Sequence, residues 1–599
     1  EGVFVFGTSQ IGGSADGSTD GNIDLGAVTL ADGASLYLGD LDTATSFGSS
    51  AITVDSISGT AAGTVSNVTV STTGSLNVGA IGTDMGTVTL KRTGGVTFTS
   101  GLNAQRLVFA DNMAGSGDII DLQGNVSLGT GLTVGSGAYG ITFTGDNNTI
   151  AGNTTFANTG KVTLGNATTD VFAFTGGFNF SGDAAIDLAA TIRSADGALD
   201  FGAGNLTLLA SSSVDATNGG VTTDGAALTF DGVVSDGASD FTFTVNAGTN
   251  TATFSNNISV ADLITTANAY SLSLTGSSNT FVNDIDFLNT GTVTLGDAAT
   301  DVFTFGTGVA FTGDAAVNLG AEIRSSADSI DFGDGTVTLV ANTIVDTTNN
   351  DEVASAAGNT IRFGGAVGDG ANAYSLTLDA GTTGDVTFVS AIGTPEVDGD
   401  GNNNDIGAIS VTLADQVTFS GTVNAASFTQ AAAPNTGLTT FAANFALSGN
   451  FDFTGQALKL QGTANTAGGY IEITNDGTYT LDTGASIAAD GGITVNGAGG
   501  VSLAGDITAE GSSLAFNGPV TAAADITIST GTGGGNIDLG GAVTGAGVLT
   551  LAAGTGDVVF ADGANVGTAQ NMVGGLDVSG ANLTLRSVYS SGAVTFTAT

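Results

Sequence analysis

The stretch that decides the fold occurs twice in the chain. Residues 158–215 read NTGKVTLGNATTDVFAFTGGFNFSGDAAIDLAATIRSADGALDFGAGNLTLLASSSVD, and residues 289–346 read NTGTVTLGDAATDVFTFGTGVAFTGDAAVNLGAEIRSSADSIDFGDGTVTLVANTIVD. The two stretches align without a gap at an offset of 131 residues, so that Phe172 corresponds to Phe303 and Arg193 to Arg324. A duplication of this length indicates a repeat architecture.

A shorter period runs inside each copy. Apolar residues recur in pairs separated by one small or polar residue, as in Val162–Leu164 and Phe178–Phe180. This alternation predicts short strands with one buried face, and glycine pairs such as Gly176-Gly177 supply the turns. Corresponding pairs return after about 20–22 residues, at Leu164, Ile186, Leu206 and Leu228. Two or three short strands in each such lap are typical of a β-solenoid, in which no coil buries its apolar face alone.

The composition agrees with an all-β fold. The chain has 599 residues with 96 Gly, only 3 Pro and no Cys, His or Trp, and its apolar content of 41% argues against disorder. We therefore expect a parallel β-solenoid, of the right-handed β-helix type, with coils of about 20–22 residues. At one strand spacing per coil, the whole chain would form a rod on the order of 135 Å.

The strand pattern divides the chain into five segments. We expect N-terminal solenoid coils over residues 1–124, the two long repeats over 125–256 and 257–390, a loop-rich interruption over 391–439, and C-terminal coils over 440–599. Strand patterns run to both ends, which predicts uncapped ends. Such ends either pair head to tail with other copies, which builds a fibre, or continue into further sequence.

The charge and the missing residue types exclude several functions. Nine Lys and Arg against 56 Asp and Glu give a formal net charge of −47, which disfavours nucleic acid and anionic membranes as partners. No apolar run approaches the roughly 20 residues of a membrane span. Without Cys and His, thiol catalysis, Ser-His-Asp triads and zinc sites of the usual kind cannot form.

One acid pair resembles a catalytic group. Asp183 and Asp187 lie near Arg193, as a carboxylate pair with a cation would in a polysaccharide-active enzyme. The second copy retains the equivalents of Asp183 and Arg193 but has Asn318 in place of Asp187. A turn acid and an ion pair between neighbouring coils explain these residues better than catalysis, and we predict that the protein is not an enzyme.

One acidic loop has the spacing of a calcium site. Oxygen-bearing side chains alternate along DGDGNNND, as they do at the start of a calcium loop. The position where an EF-hand carries its bidentate Glu is Ile409, so a solvated loop is the alternative. The candidate Ca²⁺ ligands are Asp398, Asp400, Asn402, Asn404 and Asp405.

Threonines in V-T-L and V-T-F triplets form a further pattern. Stacked rows of Thr on a flat solenoid face can bind ice, and Phe241-Thr242-Phe243-Thr244 has a suitable spacing. However, Thr is also a favoured exposed residue of strands, and Ala, Asn and Asp interrupt the rows. Solvent-exposed strand faces are the simpler interpretation.

Strings such as Gly291-Thr292-Val293-Thr294-Leu295-Gly296 and Gly74-Ser75-Leu76-Asn77-Val78 carry a family resemblance. They resemble the strand repeats of large bacterial cell-surface proteins, the passenger regions of autotransporters and filamentous-haemagglutinin-like adhesins. The resemblance implies export to the cell surface, a right-handed parallel β-helix, and adhesive or fibrous roles. Neither the amino-terminal secretion motif nor the carboxy-terminal barrel of those proteins is recognisable in the sequence.

Together, these patterns predict an extracellular structural solenoid. It would be a subunit of a head-to-tail surface fibre or the stalk of an adhesin, with other copies, cell-surface glycans or neighbouring cells as partners. Two alternatives stay open: a calcium-dependent surface-layer or matrix protein, and a polysaccharide-active enzyme on a β-helix.

Overall fold

A computed structural model describes residues 2–12, 21–39, 50–60, 63–110, 115–352, 356–370, 372–393, 406–431 and 437–598. The chain divides into two compact units, residues 1–294 (unit 1) and residues 295–599 (unit 2). Among the described residues, β-strands are the only extended regular elements, and no α-helix occurs. The all-β prediction is confirmed.

The strands are short, as the period-two pattern predicts. Up to residue 295 they are Val3–Val5, Thr8–Ile11, Ile23–Leu30, Ser35–Gly39, Ile52–Gly59, Ser66–Ser71, Leu76–Ile81, Met85–Arg92, Val96–Phe98, Leu102–Phe109, Ile119–Leu122, Val126–Gly137, Gly140–Phe143, Asn147–Ile150, Thr154–Asn158, Val162–Leu164, Val171–Phe174, Phe178–Asn179, Ile186–Leu188, Thr191–Arg193, Leu199–Asp200, Leu206–Leu208, Ser212–Asp215, Leu228–Phe230, Val234–Ser235, Thr242–Asn246, Thr251–Phe254, Ile258–Val260, Asp262–Thr265, Ser271–Leu274, Ser278–Phe281, Ile285–Asp286 and Val293–Leu295.

After residue 295 the same kind of strand continues. These strands are Val302–Phe305, Val309–Ala310, Val317–Leu319, Glu322–Ser325, Ile330–Asp331, Val337–Leu339, Thr343–Asp346, Ile361–Phe363, Val367–Gly368, Leu376–Asp379, Val386–Phe388, Ile406–Leu413, Val417–Phe419, Val423–Gln430, Leu438–Phe441, Phe445–Leu447, Phe451–Gly455, Ala457–Leu460, Asn465–Ala467, Ile471–Asn475, Tyr479–Leu481, Ser486–Ala489, Ile493–Gly497, Val501–Leu503, Asp506–Ala509, Leu514–Phe516, Val520–Ala522, Ile526–Ser529, Ile537–Leu539, Val543–Thr544, Val548–Ala552, Val558–Phe560, Gly575–Gly580, Leu583–Thr584 and Val594–Ala598.

In the first part of unit 1, two strands make one turn, as where Ile23 pairs with Ile52 and Ser35 with Asn67. From Gly140 onward, three shorter strands make one turn, and each strand pairs in parallel with its counterpart in the next turn. The turn that contains Val162, Val171 and Phe178 illustrates this arrangement. Val162 pairs with Ile186, Val171 with Thr191, and Phe178 with Leu199. Three parallel ladders therefore run through this part of the unit, and the predicted parallel β-solenoid is confirmed.

Unit 2 is built in the same way. Val317 pairs with Val337, Glu322 with Ile344, and Ile330 with Ile361, all in parallel. Strands also occupy much of the segment 391–439, including Ile406–Leu413 and Val423–Gln430.

The turns vary more in length than the sequence predicts. Ile186 pairs with Leu206, a turn of 20 residues, but Leu206 pairs with Val234, 28 residues on. Leu228, which the period assigned to this same ladder, instead pairs with Leu199 on another face. The reason is the loop over residues 216–227, which lengthens this turn, so that the next strand of the ladder comes later in the sequence than a constant period predicts.

The core of each unit consists of side chains stacked in rows along the ladders. In unit 2, one row contains six buried phenylalanines whose successive ring centroids lie 4.5–5.6 Å apart. Near-parallel rings at this spacing add to the energy of apolar burial. The row consists of Phe311, Phe332, Phe363, Phe388, Phe419 and Phe441.

Within unit 1, strands related by the 131-residue offset lie on different ladders. Gly140–Phe143 belongs to the ladder of Val162–Leu164, but its copy Ser271–Leu274 pairs with Thr251–Phe254 in another ladder of unit 1. The two are the thirteenth and thirtieth strands, and 17 strands make five turns of three plus two strands. Corresponding residues are thus displaced by part of a turn, so the duplication does not line up equivalent side chains on one face.

Buried asparagines connect successive turns. Asn148 is 2% exposed; its Oδ1 accepts the N–H of Val126 in the preceding turn at 3.0 Å, and its Nδ2 donates to the Gly145 carbonyl at 2.6 Å. Asn279 and Asn465 make the same pair of bonds. These amides satisfy backbone groups where the chain bends between strands.

Replacing Asn148 with alanine is expected to lower the free energy of unfolding by about 2 kcal/mol. The substitution removes two hydrogen bonds and leaves a buried N–H and carbonyl without partners. Urea titration followed by circular dichroism measures the loss. Asn103→Ala, at an exposed position on a nearby strand, is the control and should change the stability by less than about 0.5 kcal/mol. Equal losses in both variants would contradict the role of Asn148.

Candidate functional site: a hydroxyl column on one face of unit 2

The predicted calcium ligands Asp398, Asp400, Asn402, Asn404 and Asp405 all lie outside the described residues. The calcium site therefore stays a prediction. Elsewhere, within the described ranges, no group of three or more Asp or Glu side chains is arranged to hold a metal ion.

Asp183 and Asp187, the acid pair of the first repeat, make two separate structural contacts. Asp183 adopts a left-handed backbone conformation with φ of 53°, and its Oδ1 accepts the N–H of Ala203 in the next turn at 3.3 Å. Asp187 forms an ion pair with Lys161 of the preceding turn at 2.9 Å. Arg193 pairs through its backbone with Asp215. The geometry matches a turn acid and an ion pair between coils, although the cation is Lys161 and not Arg193.

One ladder of unit 2 displays hydroxyl groups in register. Over eight successive turns, one outward-facing residue per strand lies in register with the next, and seven of the eight are Thr or Ser. We call this set the hydroxyl column. Its members are Thr387, Thr418, Thr440, Lys459, Thr480, Ser502, Thr521 and Thr544.

Apolar triplets in the sequence build this column. In Val386–Phe388, both Val386 and Phe388 are fully buried, so the alternation of a strand directs Thr387 outward. Parallel in-register pairing then places one hydroxyl above another at the strand spacing of about 4.8 Å. Seven such spacings give a column about 34 Å long.

The column carries little charge. Its one ionic member, Lys459, is paired with Asp482 at 3.0 Å. Another ladder of the same unit, which we call the acidic ladder, has four partly exposed acids at such positions instead. Those acids are Asp379, Asp452, Glu472 and Asp538. In a protein with a net charge of −47, the hydroxyl column is therefore a nearly neutral strip.

An open groove lies at one end of the column. Thr521 and Thr544 form one wall, with their Oγ1 atoms 3.4 Å apart, and Gln570, Asn571 and Met572 line the rest. In the part of the chain that the structure describes, the side-chain amides of Gln570 and Asn571 make no hydrogen bond, and Met572 is 45% exposed. The groove thus offers two hydroxyls, two open amides and an apolar thioether.

An ionic cluster lies on the same ladder, beyond the other end of the column. Arg362 donates to Asp331 at 2.9 Å and to Asp334 at 2.5 Å beside an open groove. The hydrogen bonds that Arg362 donates to the carboxylates of Asp334 and Asp331 raise the pKa of its guanidinium. Since the two carboxylates already engage this cation, the cluster acts as a link between turns.

In the acidic ladder, the pKa of one carboxyl group, that of Asp379, is raised. Asp379 lies in register with Asp346 of the preceding turn. Burial, together with the negative charges of Asp346 and Asp351, raises the pKa of Asp379 to about 6, against a hydrogen bond from the Gly381 N–H that lowers it. Folding therefore makes the ionisation of this carboxyl group less favourable than it is in the unfolded chain.

Replacing Asp379 with asparagine is expected to stabilise unit 2 at neutral pH. Because the pKa is raised on folding, from 3.8 to about 6, the wild-type carboxyl contributes stability below pH 3.8 that is lost as the pH rises through 6. Allowing for solvent screening at this half-buried site, the variant should exceed wild type by about 1 kcal/mol at pH 7.5 and equal it near pH 3.5. Urea titrations at both pH values measure the difference. A gain that does not change with pH would contradict the assignment.

Sequence reasoning identified the outward threonines but not the column. The signal was present in triplets such as Val417-Thr418-Phe419 and Tyr479-Thr480-Leu481. The predicted interruption of the rows occurs at Thr242, which lies in register with Asp262. With the loops accounted for, Lys459 is the one interruption between Thr387 and Thr544.

The fold defines a β-solenoid repeat protein. The chain matches no known family model, no curated protein and no solved structure. The described residues contain no helix that could span a membrane.

Proposed function

We propose that the protein is an extracellular structural element, the stalk of a cell-surface adhesin or the subunit of a surface fibre. The observation that carries this proposal is the stacking of turns within each unit, with hydrogen-bonded parallel ladders around rows of buried apolar side chains. Such a structure resists unfolding because each turn is held by both neighbours.

The use of the charged residues supports the same role. Acids such as Asp183 and Asp187 hold turns together, and Asn148 and its counterparts join adjacent turns. The large excess of carboxylates disfavours side-by-side aggregation of copies. Most polar residues at the turns therefore serve the solenoid itself.

Electron microscopy of the purified protein, with calcium and with a chelator, tests this role. Filaments longer than a single chain would support the fibre subunit, and their dissolution by the chelator would support the calcium-dependent alternative. Single particles in both conditions would contradict the fibre and leave the adhesin stalk. Surface labelling of the producing cells with an antibody tests the location, and signal only after permeabilisation would overturn it.

A further inference from the structure

We propose that the hydroxyl column and its terminal groove bind a linear, uncharged polysaccharide lying along unit 2. The inference extends the proposed surface role by naming a ligand class, and it rests on that role only for its biological setting.

The groove supplies the chemistry that recognises a sugar ring. The hydroxyls of Thr521 and Thr544 both donate and accept hydrogen bonds, and the open amides of Gln570 and Asn571 add donors and acceptors. The exposed thioether of Met572 offers an apolar surface to the C–H face of a sugar. Polar groups converging beside an apolar contact are typical of small-molecule sites.

The column explains why the ligand is a polymer. Beyond the groove, a hydroxyl recurs once per turn through Ser502 and Thr480 and, past Lys459, through to Thr387. A linear β-linked sugar chain likewise presents hydroxyls at a short regular interval along one edge. A chain about 34 Å long would contact the whole column.

Charge indicates that the ligand is neutral. Anionic polysaccharides would be repelled by a protein with a net charge of −47, and a cationic partner would favour the acidic ladder with Asp452 and Glu472. An uncharged polysaccharide that lies on the hydroxyl column would displace water there without burying an unpaired charge of the protein. Hydroxyl groups of the column that can accept or donate further hydrogen bonds would gain partners in the sugar hydroxyls.

The test is calorimetric titration of the full chain with cellohexaose and mannohexaose, and with hexagalacturonate as the charged comparison. We expect one of the neutral hexasaccharides to bind and hexagalacturonate not to bind. The double variant Thr521→Val/Thr544→Val keeps the β-branched shape and loses both hydroxyls, and it should weaken binding at least tenfold. Gln570→Ala/Asn571→Ala changes a loop instead of strands and should weaken binding as much.

The matched control is Thr429→Val/Thr494→Val, which removes two outward hydroxyls from the acidic ladder and should leave binding unchanged. Circular dichroism verifies that each variant is folded. Absence of binding by both neutral probes, or equal losses in column and control variants, would overturn the inference. A dimer that the column variant dissolves, without saccharide binding, would assign the column to a second copy and also overturn it. None of these outcomes depends on whether filaments form, so this experiment tests the polysaccharide site independently of the proposed structural role.

Discussion

Replacing Phe363 with alanine is expected to lower the stability of unit 2 by about 3–5 kcal/mol, the largest effect we expect for any single substitution. The Phe363 ring is fully buried, and its centroid lies 4.7 Å from both Phe332 and Phe388. The substitution removes the ring from the middle of the aromatic row and leaves a cavity between three turns. Because the turns above and below are pinned by backbone pairing, they cannot close onto that cavity.

Hydrogen exchange read by mass spectrometry is the suitable measurement for Phe363→Ala, since a repeat array does not always unfold in a single step. Protection should fall in peptides of the turns that contain Phe332, Phe363 and Phe388. Phe363→Leu should lose less stability than Phe363→Ala, because the leucine side chain fills part of the cavity. Val221→Ala, at a position 77% exposed, is the control and should stay within about 0.5 kcal/mol of wild type. A loss below about 1 kcal/mol for Phe363→Ala would contradict the stacked core.

Replacing Gly335 with alanine is expected to destabilise unit 2 by about 3 kcal/mol, although the change adds a single methyl group. An added Cβ would lie 2.0 Å from the carbonyl oxygen of Ala315 in the preceding turn, far inside contact distance. That oxygen belongs to the backbone, so relief requires two whole turns to separate. Gly204 in the first repeat meets Ala184 at the same distance, and its substitution should be as costly.

The matched control for Gly335→Ala is Gly368→Ala in the same unit. An added Cβ at Gly368 meets no atom within 4 Å, so the substitution should be neutral or should stabilise by about 0.5 kcal/mol through the unfolded chain. Thermal unfolding of both variants distinguishes steric crowding from a general effect of losing glycine. Similar melting temperatures for the two variants would show that the close approach of turns at Gly335 does not determine the stability of unit 2.

Much of the fold could be predicted from local patterns. Pairs such as Val162 and Leu164 are two residues apart, and the alternation of a strand forces both to one side. The strand type, the buried residues and the parallel stacking follow from that alternation and from the duplication. The structural uses of Asp183 and Asp187 also agreed with the sequence, because their partial loss in the second copy already disfavoured catalysis.

The candidate site depends on register, which local patterns do not contain. Leu228 was assigned to the ladder of Leu206, yet the loop over residues 216–227 moves it beside Leu199. In the same way, Thr418 and Thr440 become neighbours only when the intervening chain completes a turn.

The sequence by itself therefore determined which side chains point inward, since that choice depends on residues two positions apart. Only the tertiary structure decided which outward side chains share a column, because that choice depends on loop lengths and hydrogen bonds between residues 20–30 positions apart, such as the bond from the Val126 N–H to Asn148.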